Sequence, residues 1–260
     1  MTLKLNCIIF SLTTLAAIVL RSLMLLFTID PVSGFVRTEY ALPNLFITIA
    51  LIAACIIVFA TAMLLGSKRP EEIKLSQPPL LCACIAMSAA MVYETFFSVL
   101  LEGANPIQSV LHYVLTVVSA AVLIGSAVMK FLKLDFPKIL TLIPVIYWIM
   151  RLIIVFTSFS EISAISDTII ETTTMCLTLI TFLAFSKIEC NQPIKRPKLF
   201  FATALLCGTV ATLGSVPRII AFFGAASHPQ HLNTTPVFTS LAVAFFAIAF
   251  AYNLYSEIKN

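Results

Sequence analysis

Seven ionisable side chains stand inside runs that are otherwise apolar: Arg21, Glu94, His112, Arg151, Asp167, Glu171 and Arg218. A charge at the centre of a membrane helix costs roughly 3 kcal/mol on insertion scales unless it is paired or hydrated. Each of these residues therefore needs a partner or a function. Three arginines stand against three carboxylates, so the charges can cancel in pairs. Asp167 and Glu171 are one helical turn apart and share a face. Thr212, Ser215 and Arg218 form a second stripe, Ala90 and Glu94 a third, and Tyr93 and Tyr113 lie at similar depth. Such a layer can build a polar chamber, open to the outside, for an anionic, zwitterionic or proton-coupled ligand. It can also be snorkelling arginines and ion pairs that lock helix packing. Equal numbers of opposite charge favour the lock. Buried carboxylates, which snorkelling does not explain, favour the chamber. Glu171 is the deepest and the first candidate for function. With an arginine in reach it stays ionised, and without one desolvation favours its protonated form.

Other chemistry is thinner. His228-Pro-Gln-His231 places two imidazoles three apart without a carboxylate, which is a poor metal site. Cys82-x-Cys84 lacks a second pair and reads as core packing. Asn233-Thr234-Thr235 is formally a glycosylation acceptor, of use only in a eukaryotic secretory pathway. There is no HExxH, GxSxG, phosphate-binding loop or dinucleotide fingerprint. No cofactor or metal is implied, and an enzyme would need a dispersed intramembrane site.

The elements that must position these residues are set by composition. The chain has 260 residues, 60% apolar and 11% charged, with a mean hydropathy of +1.04. That is far fewer charges than the quarter or so a water-facing surface carries. The surrounding solvent is lipid, where backbone groups must be satisfied internally by helices or a closed barrel. The segments do not alternate as barrel strands do. They are apolar all round for about twenty residues, the length of a spanning helix. The expected fold is all-α, a polytopic transmembrane helix bundle of about eight spans over 5–27, 43–65, 79–101, 107–129, 139–157, 163–186, 199–223 and 236–255. Pro144 and Pro217 fall within spans, and a proline there frees a carbonyl and kinks the helix. Ala121 and Gly125 suggest close helix contact.

Twelve of the sixteen Lys and Arg residues fall on one side of these spans, among them Lys68, Arg69, Lys130, Lys133, Lys187 and Arg196. Only Arg37 falls on the other. The positive-inside rule makes the basic side cytoplasmic and leaves both termini there. These cations act as topology anchors, not as a nucleic-acid surface. Lys4 and the run behind it resemble a signal peptide, but the run continues past Arg21 to Phe27 without a clear cleavage site, as an uncleaved first span does.

Short matches hint at duplication, with Arg21 and Phe27-Thr28 echoed by Arg151 and Phe156-Thr157, and Lys68-Arg69-Pro70 by Lys195-Arg196-Pro197. The single membrane domain, 1–260, would then contain parallel halves 1–130 and 131–260 of four spans each. Asp30-Pro31-Val32-Ser33-Gly34-Phe35, Arg151-Leu152 with Phe156, and Ser215-Val216-Pro217-Arg218 form a pattern that resembles uncharacterised multispan membrane proteins of anaerobic Gram-positive bacteria. Ser33 stands where that pattern has threonine. The resemblance implies a bacterial cytoplasmic membrane and carries no activity. Three functions stay open, in this order: binding or permeation of a small polar or anionic solute, a sensory or scaffold subunit, and an intramembrane enzyme. The only partners that follow from the sequence are membrane lipids and that solute.

Overall fold

The computed structural model describes residues 3–30, 36–64, 78–97, 106–134, 136–158, 165–192, 196–224 and 235–259. Among them are eight helices long and apolar enough to cross a membrane. They are α1 (Leu3–Leu23), α2 (Ala41–Met63), α3 (Pro78–Phe97), α4 (Pro106–Phe131), α5 (Ile143–Ser158), α6 (Ile165–Glu189), α7 (Pro197–Gly224) and α8 (Thr235–Lys259). The chain is an all-α integral membrane protein. Large apolar side chains such as Phe46, Ile107 and Phe223 point outward and are more than two-thirds exposed, as hydrocarbon solvent requires.

Prolines gather where a helix begins. Pro78, Pro106 and Pro197 open α3, α4 and α7, positions whose N–H has no intrahelical acceptor and where a fixed φ is already helical. Pro144 is the second residue of α5, behind a 3-10 turn at Lys138–Leu142. A proline at that position costs no helical hydrogen bond, because it lies in the first turn. Pro217 alone lies in a helix interior. The far ends of α4 and α6 close alike. Lys133 and Asn191 take positive φ of 57° and 53°. Leu134 N–H then bonds Met129 C=O at 2.8 Å, and Gln192 N–H bonds Lys187 C=O at 3.1 Å. These left-handed caps satisfy carbonyls the helices leave open. α1 ends instead in a π-helical turn, Met24–Thr28, and an isolated bridge pairs Ile29 with Val36.

From α3 to α8 each helix packs on the next, and α8 closes back on α3. α1 and α2 pack on each other and on α7. Contacts thus run across the midpoint of the chain, α3 to α8, α4 to α5 and α2 to α7. The most extensive pair is α7 with α8, brought close by Gly208, where a Cβ would stand 2.8 Å from Ile248 Cγ1. Lipid offers apolar side chains no hydrophobic drive to leave it, so small residues that permit close backbone approach decide such interfaces. Gly125 does something else. A Cβ there would meet the Phe136 ring at 3.3 Å, so it admits the chain segment after α4, not a second helix. At the core, Phe182 stacks on Phe246 at 4.5 Å, and Trp148, Phe185 and Phe250 extend the aromatic column.

Candidate functional site

The closed circuit of α3 to α8 gathers four of the seven intramembrane ionisable residues. Arg151 on α5 binds Glu94 on α3 through both carboxylate oxygens, Nη1 to Oε2 at 2.8 Å and Nη2 to Oε1 at 2.5 Å. Both side chains are buried, 3% and 2% exposed. The planar guanidinium matches the carboxylate fork, the geometry that makes arginine the usual partner in buried pairs. Its centre also lies 5.0 Å over the Trp148 ring, a second interaction that favours the cation. Tyr147, one residue before Trp148, is buried. His112 on α4 meets the Tyr147 ring edge-on at 5.5 Å.

Two threonine hydroxyls near the pair, 3.1 Å from each other, also have backbone acceptors. Thr116 donates to the His112 carbonyl at 2.8 Å, and Thr95 donates to the Met91 carbonyl at 2.9 Å. His112 Nδ1 is 3.4 Å from Thr116 Oγ1, but the threonine hydrogen already points to a carbonyl. It is not an activated nucleophile, which needs its proton directed at the base.

Glu171 on α6 is half-buried and lines a small cavity with Trp148, Arg151, Thr174, Thr239 and Ser240. The space is about 10 Å³, enough for one water molecule. Glu171 interacts with Arg151 through its charge. It makes no hydrogen bond or ion pair among the described residues. Two buried donors on the cavity-lining side chains, Trp148 Nε1 and Arg151 Nε, likewise have no protein partner.

The other sequence candidates lie apart or outside the described set. Arg21 is fully buried on α1, its Nη1 3.0 Å from Met24 Sδ. Met24 belongs to a cluster with Leu25, Ile29 and Ala221, on the side of α7 where α1 and α2 pack. Arg218 is half-buried on α7. Asp167 falls in α6, its side chain outside the described residues, as do His228, His231, Asn233 and residues 31–35.

Depth alone misassigned several neighbours. Tyr93 and Tyr113 are 42% and 41% exposed and turn outward. Thr212 and Ser215 donate to the Gly208 and Ala211 carbonyls of their own helix, not into a chamber. Cys84 is buried while Cys82 is exposed, so the two thiols face opposite ways. The residues that the sequence reading missed are Tyr147, Trp148, Thr174 and Thr239. Tyr147 and Trp148 had one available signal: they precede Arg151 by a helical turn, so they share its face.

At the opposite end of the bundle a second ion pair joins α4 to α6. Lys130 binds Glu189 and also sits 5.6 Å over the Phe185 ring. Ser186 Oγ donates to the Thr141 carbonyl at 2.5 Å, tying the 3-10 turn to α6. Lys130 is therefore more than a topology anchor. Elsewhere again, an apolar groove of about 490 Å³ lies between α3 and α8, lined by Ala86, Ala90, Phe238 and Phe245.

No family model, curated protein or solved structure matches the chain.

Proposed function

We propose that this integral membrane protein binds or transports a small polar solute, and that the cluster of Arg151, Glu94, Glu171 and His112 is its binding centre in a closed conformation. Glu171 is the observation that carries this reading. A bundle locked by ion pairs needs each charge matched, and Glu94 already matches Arg151 with two hydrogen bonds. Glu171 sits at the same site without an ion pair among the described residues, at a depth where an unmatched carboxylate costs several kcal/mol. A cost of that kind is retained where the group has work to do. The Lys and Arg distribution assigns this end of the bundle to the outside, and the resemblance described above supports a bacterial cytoplasmic membrane as the location.

A scaffold or sensory subunit is the second reading. It is favoured by the completeness of the Arg151–Glu94 pair and by a cavity with room for one water. The charge-swapped protein, Glu94→Arg with Arg151→Glu, separates the two. A scaffold tolerates the swap. A solute site does not, because a second carboxylate then stands beside Glu171. The expected outcome is a swapped protein that folds but loses the thermal shift that a panel of amino acids, organic acids and short peptides produces in the parent. Retention of the full shift by the swapped protein, or no shift in the parent with any solute, would favour the scaffold.

A further inference from the structure

The groups around Glu171 specify more than a polar solute. We infer that the solute is a zwitterion of the α-amino acid type, its carboxylate end bound by Trp148 and Arg151 and its ammonium end by Glu171. This inference rests on the solute-site reading.

The cavity offers hydrogen-bond donors first. Trp148 Nε1–H and Arg151 Nε–H belong to side chains that line it, and neither has an acceptor among the described residues. The two side chains are only 2% and 3% exposed. Arg151 is not free to turn away, because both of its Nη atoms are held by Glu94. A buried donor left unpaired is costly. Two of them on one cavity mark a place for an acceptor oxygen.

The same cavity also offers acceptors. The Glu171 carboxylate on α6 has no hydrogen bond or ion pair among the described residues. Thr174 donates its hydrogen to the Ile170 carbonyl at 2.7 Å, and Thr239 donates to the Ala90 carbonyl at 3.4 Å. Both hydroxyls therefore turn lone pairs, not hydrogens, to a ligand. A carboxylate and two hydroxyl oxygens on one cavity mark a place for a strong donor.

A ligand that completes the site must accept at Trp148 and Arg151 and donate at Glu171. In the closed conformation the space is about 10 Å³, and one water meets both demands. Among solutes, an organic acid answers the two N–H groups but sets a second carboxylate beside Glu171. An amine or a metal ion answers Glu171 but leaves both N–H groups unpaired, their positive ends facing a positive charge. A zwitterion with carboxylate and ammonium on one carbon answers both ends, and its charges match Arg151 and Glu171 in order. The closed bundle must open to admit it.

Trp148 is the only tryptophan in the chain, so its fluorescence reports this cavity alone. The purified full chain in detergent, at neutral pH, is titrated with the amino acids of the panel, each beside its deaminated acid and its decarboxylated amine. At least one amino acid should change the Trp148 emission at concentrations on the order of 100-fold below those its two analogues need. In Glu171→Gln the preference over the deaminated acid should collapse. In Trp148→Phe, read by thermal shift, the preference over the amine should fall. If Glu171→Gln fails to fold, Glu171→Asp serves instead, and should keep the preference for the ammonium with weaker binding. A deaminated acid or an amine that binds as tightly as its amino acid overturns the zwitterion and leaves the solute reading standing. So does a thermal shift that leaves the Trp148 emission unchanged, since the solute then sits elsewhere. No emission change and no thermal shift with any of these compounds overturns the solute reading itself.

Discussion

Arg151 shows how differently a membrane treats its few charges. Its bidentate bond to Glu94 and its place over Trp148 satisfy a cation that the apolar surroundings would otherwise exclude. Removing one partner leaves the other buried and uncompensated, which costs about 3–5 kcal/mol. Arg151→Leu and Glu94→Leu should each lower stability by about that amount, measured by thermal or denaturant unfolding in detergent. The double variant Glu94→Leu with Arg151→Met removes both charges and should recover most of the loss. Lys187→Gln should change little, because Lys187 is exposed at the end of α6. If Arg151→Leu is as stable as Lys187→Gln, the pair does not hold the fold. His112 fits the same picture: it is buried against Tyr147, and its Nε2 has no protein partner.

At the scale of elements, helix ends follow local rules while helix contacts do not. The prolines at the starts of α3, α4 and α7 and the left-handed caps after α4 and α6 are local chemistry. Asn191 tolerates its cap conformation, since asparagine visits the left-handed region readily. Lys133 does not share that ease, and a non-glycine residue there costs roughly 1–2 kcal/mol. Lys133→Gly should therefore stabilise the protein by about 1 kcal/mol, read as a rise in unfolding midpoint, whereas Lys133→Gln should be close to neutral. A loss of stability in Lys133→Gly would mean that the charge matters more than the backbone. The α7–α8 contact, in contrast, depends on Gly208 meeting Ile248, a pairing that no local rule announces.

For the whole molecule the decisive quantity is the distribution of charge across the bundle. Twelve basic residues on one side against Arg37 on the other predict an orientation. Single cysteines at 33, 103, 160 and 230 in a cysteine-free background should react with an impermeant reagent on intact cells. Those at 67, 133 and 192 should react only after the membrane is opened. Reaction of both sets from one side would remove the eight-span arrangement. In that orientation the Arg151–Glu94 cluster would lie in the outer half and the Lys130–Glu189 pair at the cytoplasmic end, with the aromatic column of Trp148, Phe182 and Phe246 between them.

The number, type and approximate limits of the helices were legible in the sequence because lipid imposes them: a span must be helical, apolar and about twenty residues long, whatever it packs against. The depth of each charge followed from the same ruler. Which charges meet did not follow, because depth is one coordinate and a contact also needs the order of helices around the bundle. Arg21 and Arg151 stand at similar depth, yet Arg151 reaches Glu94, since α5 and α3 lie in the same closed circuit, while α1 packs outside it on α2 and α7. In the same way Tyr93 was expected near the charges and Tyr147 was not. The rotation of each helix about its axis, which turns Tyr147 inward and Tyr93 outward, is set by packing with its neighbours. Hydropathy in segments apolar on every side carries almost no record of that rotation. The sequence thus determined which segments span a membrane, and the tertiary structure decided that Arg151 pairs with Glu94 while Glu171 has no ion-pair partner among the described residues.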